Sequence, residues 1–118
     1  MWGDHVLLMT ALGAKSGEAI TTPLVYGREG DDYIIVASKG GSPKHPKWFE
    51  NITANPEVEV EVAKARGTES FKARAHIVES RAERDRLYTE MSKIWPSFLE
   101  YQTRTDRLIP VVVLRREY

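Results

Sequence analysis

The spacing of apolar and polar residues divides the first third of the chain into strands. Val6 to Leu12 is an apolar run that ends at a glycine-bracketed turn, residues 13–17, where positive φ angles are easily adopted. Ala19 to Arg28 resumes an extended pattern, and Pro23 inside it predicts an edge or a bulge because proline cannot donate to a sheet ladder. A polar turn then leads to Tyr33–Ser38, a short and nearly all-apolar strand. The pattern predicts two hairpins in an antiparallel meander.

The middle of the chain changes from an irregular segment to a helix and then to an alternating strand. Residues 39–47 hold two glycines and two prolines, which excludes regular structure over most of their length. Pro46 suits the first position of a helix, and Asn55-Pro56 ends that helix because the residue before proline avoids the helical region. Beyond it, valines at 58, 60 and 62 alternate with glutamates at 57, 59 and 61. We interpret this segment as a half-buried strand with a solvated acidic face rather than as a pair of catalytic carboxylates.

The last third predicts two strands and two helices. Ser70 to Val78 returns as the partner of the valine strand, and Ser80-Arg-Ala-Glu83 has the spacing of a helix capping box. That helix breaks at Trp95-Pro96, a short helix follows over 97–105, and residues 109–114 form a compact apolar strand. The predicted fold class is mainly β (α+β), with about six strands in a small barrel or strongly curled sheet and two or three flanking helices. Residues 1–118 are predicted to form a single domain.

Composition narrows the function classes without choosing one. The chain has 118 residues, and its 17 basic and 17 acidic side chains balance, which argues against a nucleic-acid or membrane protein driven by overall charge. Cysteine is absent, which excludes disulfides, thiolate catalysis and iron–sulfur clusters, and the three histidines lie far apart, so no metal site is predicted. No apolar run approaches the ~20 residues of a transmembrane helix, and the N-terminus lacks the pattern of a signal peptide. We therefore expect a cytoplasmic protein.

One stretch departs from this neutral background. Residues 37–49 carry Lys39, Lys44, His45 and Lys47 and no acidic residue, on a glycine-rich loop that leads into the start of a helix. Backbone amides of such a loop, together with a helix N-terminus, form a natural anion site, and Lys15 on the earlier turn offers a further cation. The alternative is a solvated lysine loop. The pattern does not distinguish phosphate from carboxylate as the anion.

Aromatic residues give a second candidate. Trp95, Phe98 and Tyr101 recur every three residues, a spacing that keeps them near one face of a helix. Such a stripe is usually core packing, but on a short broken helix it can also wall an aromatic ligand. The Tyr101 hydroxyl is then a candidate proton donor or orienting group.

Several short segments, in order along nearly the whole chain, carry a family resemblance. They are Gly13-Ala-Lys-Ser-Gly-Glu, Thr21-Thr-Pro-Leu-Val-Tyr26, Val36-Ala-Ser-Lys-Gly-Gly41, Pro46-Lys-Trp-Phe-Glu-Asn51, Trp95-Pro-Ser-Phe-Leu-Glu-Tyr101 and Arg104-Thr-Asp-Arg. The ordered set resembles the deazaflavin-dependent nitroreductase family, whose members bind the 8-hydroxy-5-deazaflavin coenzyme F-420. The resemblance implies a six-stranded antiparallel split β-barrel, similar to the FMN-binding barrels.

The same resemblance implies an activity. It predicts a reductase that passes a hydride from the reduced deazaflavin to a quinone or nitroaromatic acceptor, since the cofactor carries the hard chemistry and no catalytic triad is needed. Two alternatives stay open, an FMN-dependent split-barrel oxidoreductase and a non-enzymatic cofactor-binding protein. A homodimer is also compatible with the sequence.

Residue by residue, the resemblance implies three overlapping sets of positions. Cofactor contacts are implied for Ala14, Lys15, Ser16, Ile20, Thr21, Thr22, Pro23, Leu24, Val25, Val36, Ala37, Ser38, Lys39, Lys47, Trp48, Phe49, Glu50 and Asn51. The acceptor pocket, where family members often carry tyrosine, is implied for Trp95, Phe98 and Tyr101. Catalytic roles are implied for Ser38 and Tyr101.

Overall fold

A computed structural model describes residues 5–117, and in that range the protein is mainly β with three α-helices, as the sequence predicts. The strands are β1 (Val6–Leu12), β2 (Ala19–Val25), β3 (Gly27–Glu29), β4 (Asp32–Val36), β5 (Glu57–Ala63), β6 (Thr68–Ile77) and β7 (Val111–Arg116). The helices are α1 (Lys47–Ala54), α2 (Arg81–Ile94) and α3 (Ser97–Thr103), with a 3-10 turn at Lys39–Gly41.

The strands form one antiparallel sheet in the order β2-β1-β5-β6-β7-β4-β3. This sheet has seven strands, so the prediction of six is wrong. The error lies in residues 19–28, which were predicted as one strand but divide at Tyr26 into β2, paired with β1, and β3, paired with β4. Since a single residue joins strands at opposite edges, the two edges must meet at Tyr26 and the sheet curls on itself. Pro23 lies on the edge strand β2, as predicted.

The inner face of the curled sheet holds the first hydrophobic core. Val58, Val60 and Val62 are buried there, while Glu57 and Glu59 are exposed, so the predicted alternation of β5 is confirmed. The other strands that contribute apolar side chains to this core are β1, β4, β6 and β7. Helix α1 covers it with Trp48 and Ile52.

A second core lies on the opposite face of β4 and β7. Alternate residues of these two strands, including Ile34 and Val113, pack against Leu87 and Met91 of α2 and Phe98 of α3. Because both faces of β4 and β7 are covered, their sequences are nearly continuous apolar runs rather than alternating ones.

Helix boundaries follow the expected local signals. The Ser80 hydroxyl accepts a hydrogen bond from the Glu83 amide at 3.3 Å, which confirms the predicted N-cap of α2. Asn55 caps the end of α1 immediately before Pro56, while Pro46 is the N-cap of that helix rather than its first helical residue. Among residues 5–117, no helix is both long and apolar enough to cross a membrane.

Candidate functional site: a cation-lined groove at the start of α1

The backbone between β4 and α1 adopts an uncommon shape. Ser38 is right-handed helical, and the next three residues, Lys39, Gly40 and Gly41, have φ angles of 46°, 62° and 82°. A right-handed residue followed by a left-handed one directs successive N–H groups to one side, which creates an anion-binding concavity. The left-handed conformation costs about 1–2 kcal/mol for a residue with a Cβ, so Lys39 stores strain at this point.

This loop rests directly on α3. A Cβ placed on Gly41 would lie 2.5 Å from the Tyr101 carbonyl oxygen and 2.9 Å from the Arg104 Cβ. Only glycine therefore fits at position 41, for reasons of space as well as of φ. The contact brings the candidate residue Tyr101 beside the candidate loop 38–41.

A cavity of about 540 Å³ opens between this loop and the first turn of α1. Its lining residues are Lys39, Pro43, Lys44, His45, Lys47 and Glu50. The N-terminus of α1 receives no side-chain cap, so its partial positive charge adds to that of the lysines. The sequence prediction that this loop gathers cations at a helix start agrees with the observed geometry, with Glu50 as the acidic member.

A second cavity, of about 250 Å³, lies on the other side of the same helical turn. Its lining residues are Gly13, Ala14, Lys15, Ser16, Ile20, Lys47, Glu50 and Asn51. The buried Asn51 side chain accepts a hydrogen bond from the Ala14 amide at 2.9 Å and so fixes the β1–β2 turn against α1. Because Lys47 and Glu50 line both cavities, we treat the two as one groove that runs around the first turn of α1, and call it the α1 groove.

His45 in this groove is held in a defined tautomer. Its Nδ1 lies 3.0 Å from Nη1 of Arg107, and since a guanidinium can only donate, Nδ1 accepts and the ring proton is on Nε2. Burial and the charge of Arg107 lower the pKa of His45, against a smaller raising effect of Glu50. The imidazole is therefore neutral near pH 7.

Other predicted cofactor residues lie in the strands and the core. Ala37 and Trp48 are buried in the first core and Val36 in the second, while Phe49 is half-buried beside His45, with ring centroids 4.6 Å apart. Strand β2 is more open than any inner strand. Ile20, Thr21 and Pro23 are exposed, and Thr22, Leu24 and Val25 are half-buried.

The three aromatic residues near α3 do not share one environment. Phe98 is 5% exposed and packs in the second core, whereas Trp95 is 45% exposed and Tyr101 is half-buried. The Trp95 indole nitrogen lies 3.4 Å from the Tyr101 hydroxyl, and the rings of Phe98 and Tyr101 meet edge to face at 6.0 Å. Trp95 and Tyr101 are thus the accessible members, and the pocket role of Phe98 stays a prediction.

Sequence reasoning assigned no role to Arg107, although its guanidinium contacts the candidate loop. Arg107 donates to the backbone carbonyls of Ser38 at 2.7 Å and Ser42 at 2.8 Å. The signal available in the sequence was its place in the C-terminal segment of the resemblance, which by itself does not indicate a contact with a loop some 65 residues earlier in the chain. Within residues 5–117, no group of three His, Asp or Glu side chains is arranged to hold a metal ion.

Comparisons with known proteins converge on one description. The family model described as F420H(2)-dependent quinone reductase matches residues 1–116. An F420H(2)-dependent quinone reductase of Mycobacterium tuberculosis is 43% identical over 115 residues, which cover 93% of this chain and 72% of that protein. The solved structure of an F420-H2 dependent reductase (FDR-A) superposes with a TM-score of 0.84 at 39% identity and covers 96% of each chain. A structure described as a domain-swapped dimer also gives a TM-score of 0.84 at 39% identity, over 96% of this chain and 81% of that one.

Proposed function

The chain belongs to the F420H(2)-dependent quinone reductase family, and from that premise we propose that the α1 groove holds the deazaflavin coenzyme for the family's reaction. The protein is an oxidoreductase that uses coenzyme F-420 and a quinone acceptor. The observation that carries the proposed site is the meeting of a left-handed amide loop, an uncapped helix start and several lysines at one groove.

The residues of the groove fit the chemistry of that coenzyme. Its tail carries a phosphate and several glutamate carboxylates, which require amide donors and cations spread along a path rather than a single charge. Lys39 and Lys44 line one end of the groove, Lys47 its middle and Lys15 the other end. Charge-assisted hydrogen bonds of this kind are the strong ones, and backbone amides at a helix start add to them.

Within this arrangement, the role of the chain's own residues is to position the coenzyme ring and the quinone acceptor. When bound, the reduced deazaflavin supplies a hydride, and a quinone that accepts it together with a proton becomes the hydroquinone. Ser38 lies at the junction of β4 and the loop, where its hydroxyl can hydrogen-bond the ring or the acceptor. Tyr101, whose backbone packs against the same loop, is the candidate whose hydroxyl would donate a proton or hydrogen bond to the acceptor oxygen. Holding ring and acceptor together in the correct orientation supplies the remaining rate gain.

Finer predictions accompany this proposal. We propose that the curled sheet is a split barrel of the FMN-binding type, as the FDR-A superposition supports. Nitroaromatic acceptors, the homodimer and the cytoplasmic location remain predictions. Turnover assays, light scattering and cell fractionation test them in turn.

A binding and turnover experiment tests the proposed function. The purified protein is titrated with coenzyme F-420 and, separately, with FMN, and fluorescence reports binding. The reduced deazaflavin is then mixed with a water-soluble quinone in a single-turnover assay. We expect micromolar binding of the deazaflavin and protein-dependent oxidation of its reduced form.

Each other outcome selects a different function. Binding of FMN alone would identify an FMN-dependent enzyme, and deazaflavin binding without turnover would identify a carrier. Lys72→Ala on the outer face of β6 serves as the charge-matched control for substitutions in the groove, because it removes a lysine that lines neither cavity of the groove.

A further inference from the structure

Arg107 makes the most extensive contact with the candidate loop. Besides the carbonyls of Ser38 at 2.7 Å and Ser42 at 2.8 Å, its guanidinium donates to the Ala37 carbonyl at 3.2 Å and to His45 Nδ1 at 3.0 Å. These four acceptors lie between 62 and 70 residues earlier in the chain. Burial lowers the pKa of Arg107, yet an arginine stays charged at any physiological pH.

Two of these carbonyls bracket the strained backbone. Ser38 precedes and Ser42 follows the three residues with positive φ, so one planar guanidinium holds both ends of the left-handed stretch. A non-glycine residue such as Lys39 persists in that conformation only where its surroundings fix it. Arg107 supplies such a constraint from a distant part of the chain.

The same contacts set the direction of the loop amides. In a trans peptide the C=O and the following N–H point in opposite directions, and no peptide between described residues is cis. Holding the Ala37 and Ser38 carbonyls on the guanidinium therefore directs the N–H groups of Ser38 and Lys39 away from Arg107.

Arg107 is itself anchored on its other side. Its carbonyl accepts from the Gln102 side-chain amide at 2.8 Å. The Gln102 side-chain oxygen in turn accepts from the buried Arg84 at 2.6 Å and from the Ile109 amide at 3.0 Å. The loop is thus tied through Arg107 to α3 and α2.

We propose that Arg107 is a positioning residue for the quinone reductase reaction: without touching coenzyme or acceptor, it aims the amides of Ser38 and Lys39, and with them both side chains, at the bound coenzyme. The inference rests on the function proposed above. A lysine cannot replace this arginine. The planar guanidinium fork reaches three carbonyls and the His45 imidazole at once, whereas a single ammonium group does not.

The test compares Arg107→Ala and Arg107→Lys with Arg28→Ala, a variant that loses an arginine whose guanidinium donates to backbone carbonyls of a different turn, those of Gly30 and Asp32. Measurements are the thermal midpoint, the dissociation constant of coenzyme F-420, and kcat and KM for the quinone. Both Arg107 variants should bind the coenzyme ~10-fold or more weakly, since charge-assisted contacts order its site, with little change in the quinone KM. Methylguanidinium at millimolar concentration should restore part of the binding to Arg107→Ala and should leave the affinity of Arg28→Ala unchanged.

A second measurement separates this inference from the proposed function. Amide hydrogen exchange over residues 38–42 of the coenzyme-free protein should quicken in Arg107→Ala and stay near wild type in Arg28→Ala. Unchanged loop exchange, or wild-type coenzyme affinity and kcat in a folded Arg107 variant, would overturn the positioning role. Failure of the wild-type protein to bind the coenzyme would instead overturn the proposed function, while the exchange result still decides whether Arg107 orders the loop.

Discussion

At the scale of single residues, Lys39 combines a charge at the groove with a strained backbone. Lys39→Ala removes the charge and keeps the strain, whereas Lys39→Gly removes both. Each should weaken coenzyme binding at low salt by about 1.5–3 kcal/mol, roughly ten- to hundredfold, and the loss should shrink as salt rises. Lys15→Ala at the other end of the groove should weaken binding in the same way.

The two Lys39 variants should also differ in stability. Lys39→Gly should have a higher thermal midpoint than Lys39→Ala because glycine relieves about 1 kcal/mol of strain.

These outcomes are read from fluorescence titrations at two salt concentrations and from thermal melts. Lys72→Ala should leave the affinity near wild type. If Lys39→Ala and Lys15→Ala also bind normally at low salt, the lysines are solvated surface and the groove is not the tail site.

His45 makes the loop sensitive to pH. Its pKa is lowered by burial and by Arg107, so the unfolded chain, with a pKa of about 6.5, binds a proton more readily than the folded protein does. The stabilisation from neutral His45 is thus complete above about pH 6.5 and is lost as pH falls through the lowered folded-state pKa. Arg107 and Glu50 are the charged groups that act on the ring, and Lys39, Lys44 and Lys47 line the same cavity.

We therefore expect the wild type to lose more stability between about pH 7.5 and about pH 5.5 than His45→Asn does. The asparagine oxygen can still accept from Arg107 but does not titrate. Urea unfolding at the two pH values measures the difference. Carboxylates titrate in both proteins, so an equal loss would exclude His45 as the sensitive group.

The candidate site was predictable where its chemistry is local in sequence. Lysines clustered on a glycine-rich loop before a helix indicate a candidate anion site from local sequence alone, with a solvated lysine loop as the alternative. Arg107 could not be found that way, because its role depends on three carbonyls brought to it by the pairing of β4 with β7, in which Val36 lies opposite Val111. The burial of Phe98 was equally hidden, since three-residue spacing places an aromatic on a face without saying what covers that face.

At the scale of elements, the contact between the 38–41 loop and α3 depends on Gly41. Gly40→Ala and Gly41→Ala share the cost of a left-handed alanine, about 1–2 kcal/mol, but only at position 41 does the new methyl meet backbone, the Tyr101 carbonyl. Gly41→Ala should therefore lower the free energy of unfolding by about 1–3 kcal/mol more than Gly40→Ala does, which a thermal melt shows as a lower midpoint. It should also weaken coenzyme binding more than Gly40→Ala does. If Gly40→Ala and Gly41→Ala lost equal stability and equal coenzyme affinity, α3 would move away from the new methyl group at little cost.

Helix α3 carries one aromatic ring in the second core, that of Phe98, and one accessible ring, that of Tyr101. Phe98→Tyr would bury an unpaired hydroxyl and should lower the free energy of unfolding by about 1–3 kcal/mol, which a thermal melt shows as a lower midpoint. Tyr101→Phe should keep near-normal stability and coenzyme binding but slow the single-turnover reduction of a quinone, since a positioned proton donor contributes ~10²–10⁴-fold. An unchanged rate in Tyr101→Phe would remove the catalytic role assigned to Tyr101.

Element boundaries were predicted well wherever one residue type decides them. Val6–Leu12 is found with both ends as predicted, and the prolines after α1 and α2 end those helices in the expected places. The division of residues 19–28 was missed because both halves are extended and equally β-compatible. What separates β2 from β3 is the change of pairing partner at Tyr26, a non-local property.

At the scale of the whole molecule, two cores share two strands. Strands β4 and β7 direct alternate residues into each core, so neither core can open without breaking the pairing that supports the other. The continuous apolar runs of these strands were visible in the sequence, but the runs alone did not show which helices would cover the second face. We expect the protein to unfold as one cooperative unit.

Leu114 tests this coupling. It is fully buried in the first core on β7, whereas Leu99 on α3 is 58% exposed. Leu114→Ala should cost about 2–5 kcal/mol through lost burial and the cavity that remains, while Leu99→Ala should stay within about 0.5 kcal/mol. Trp48 lies in the first core and Trp95 beside α3, so tryptophan fluorescence reports on both regions. Since the shared strands couple the cores, far-UV circular dichroism and tryptophan fluorescence should report one common midpoint in both variants. If Leu114→Ala separated the two transitions, so that the helical signal persisted after the fluorescence change, the cores would be independent and the shared strands would not couple them.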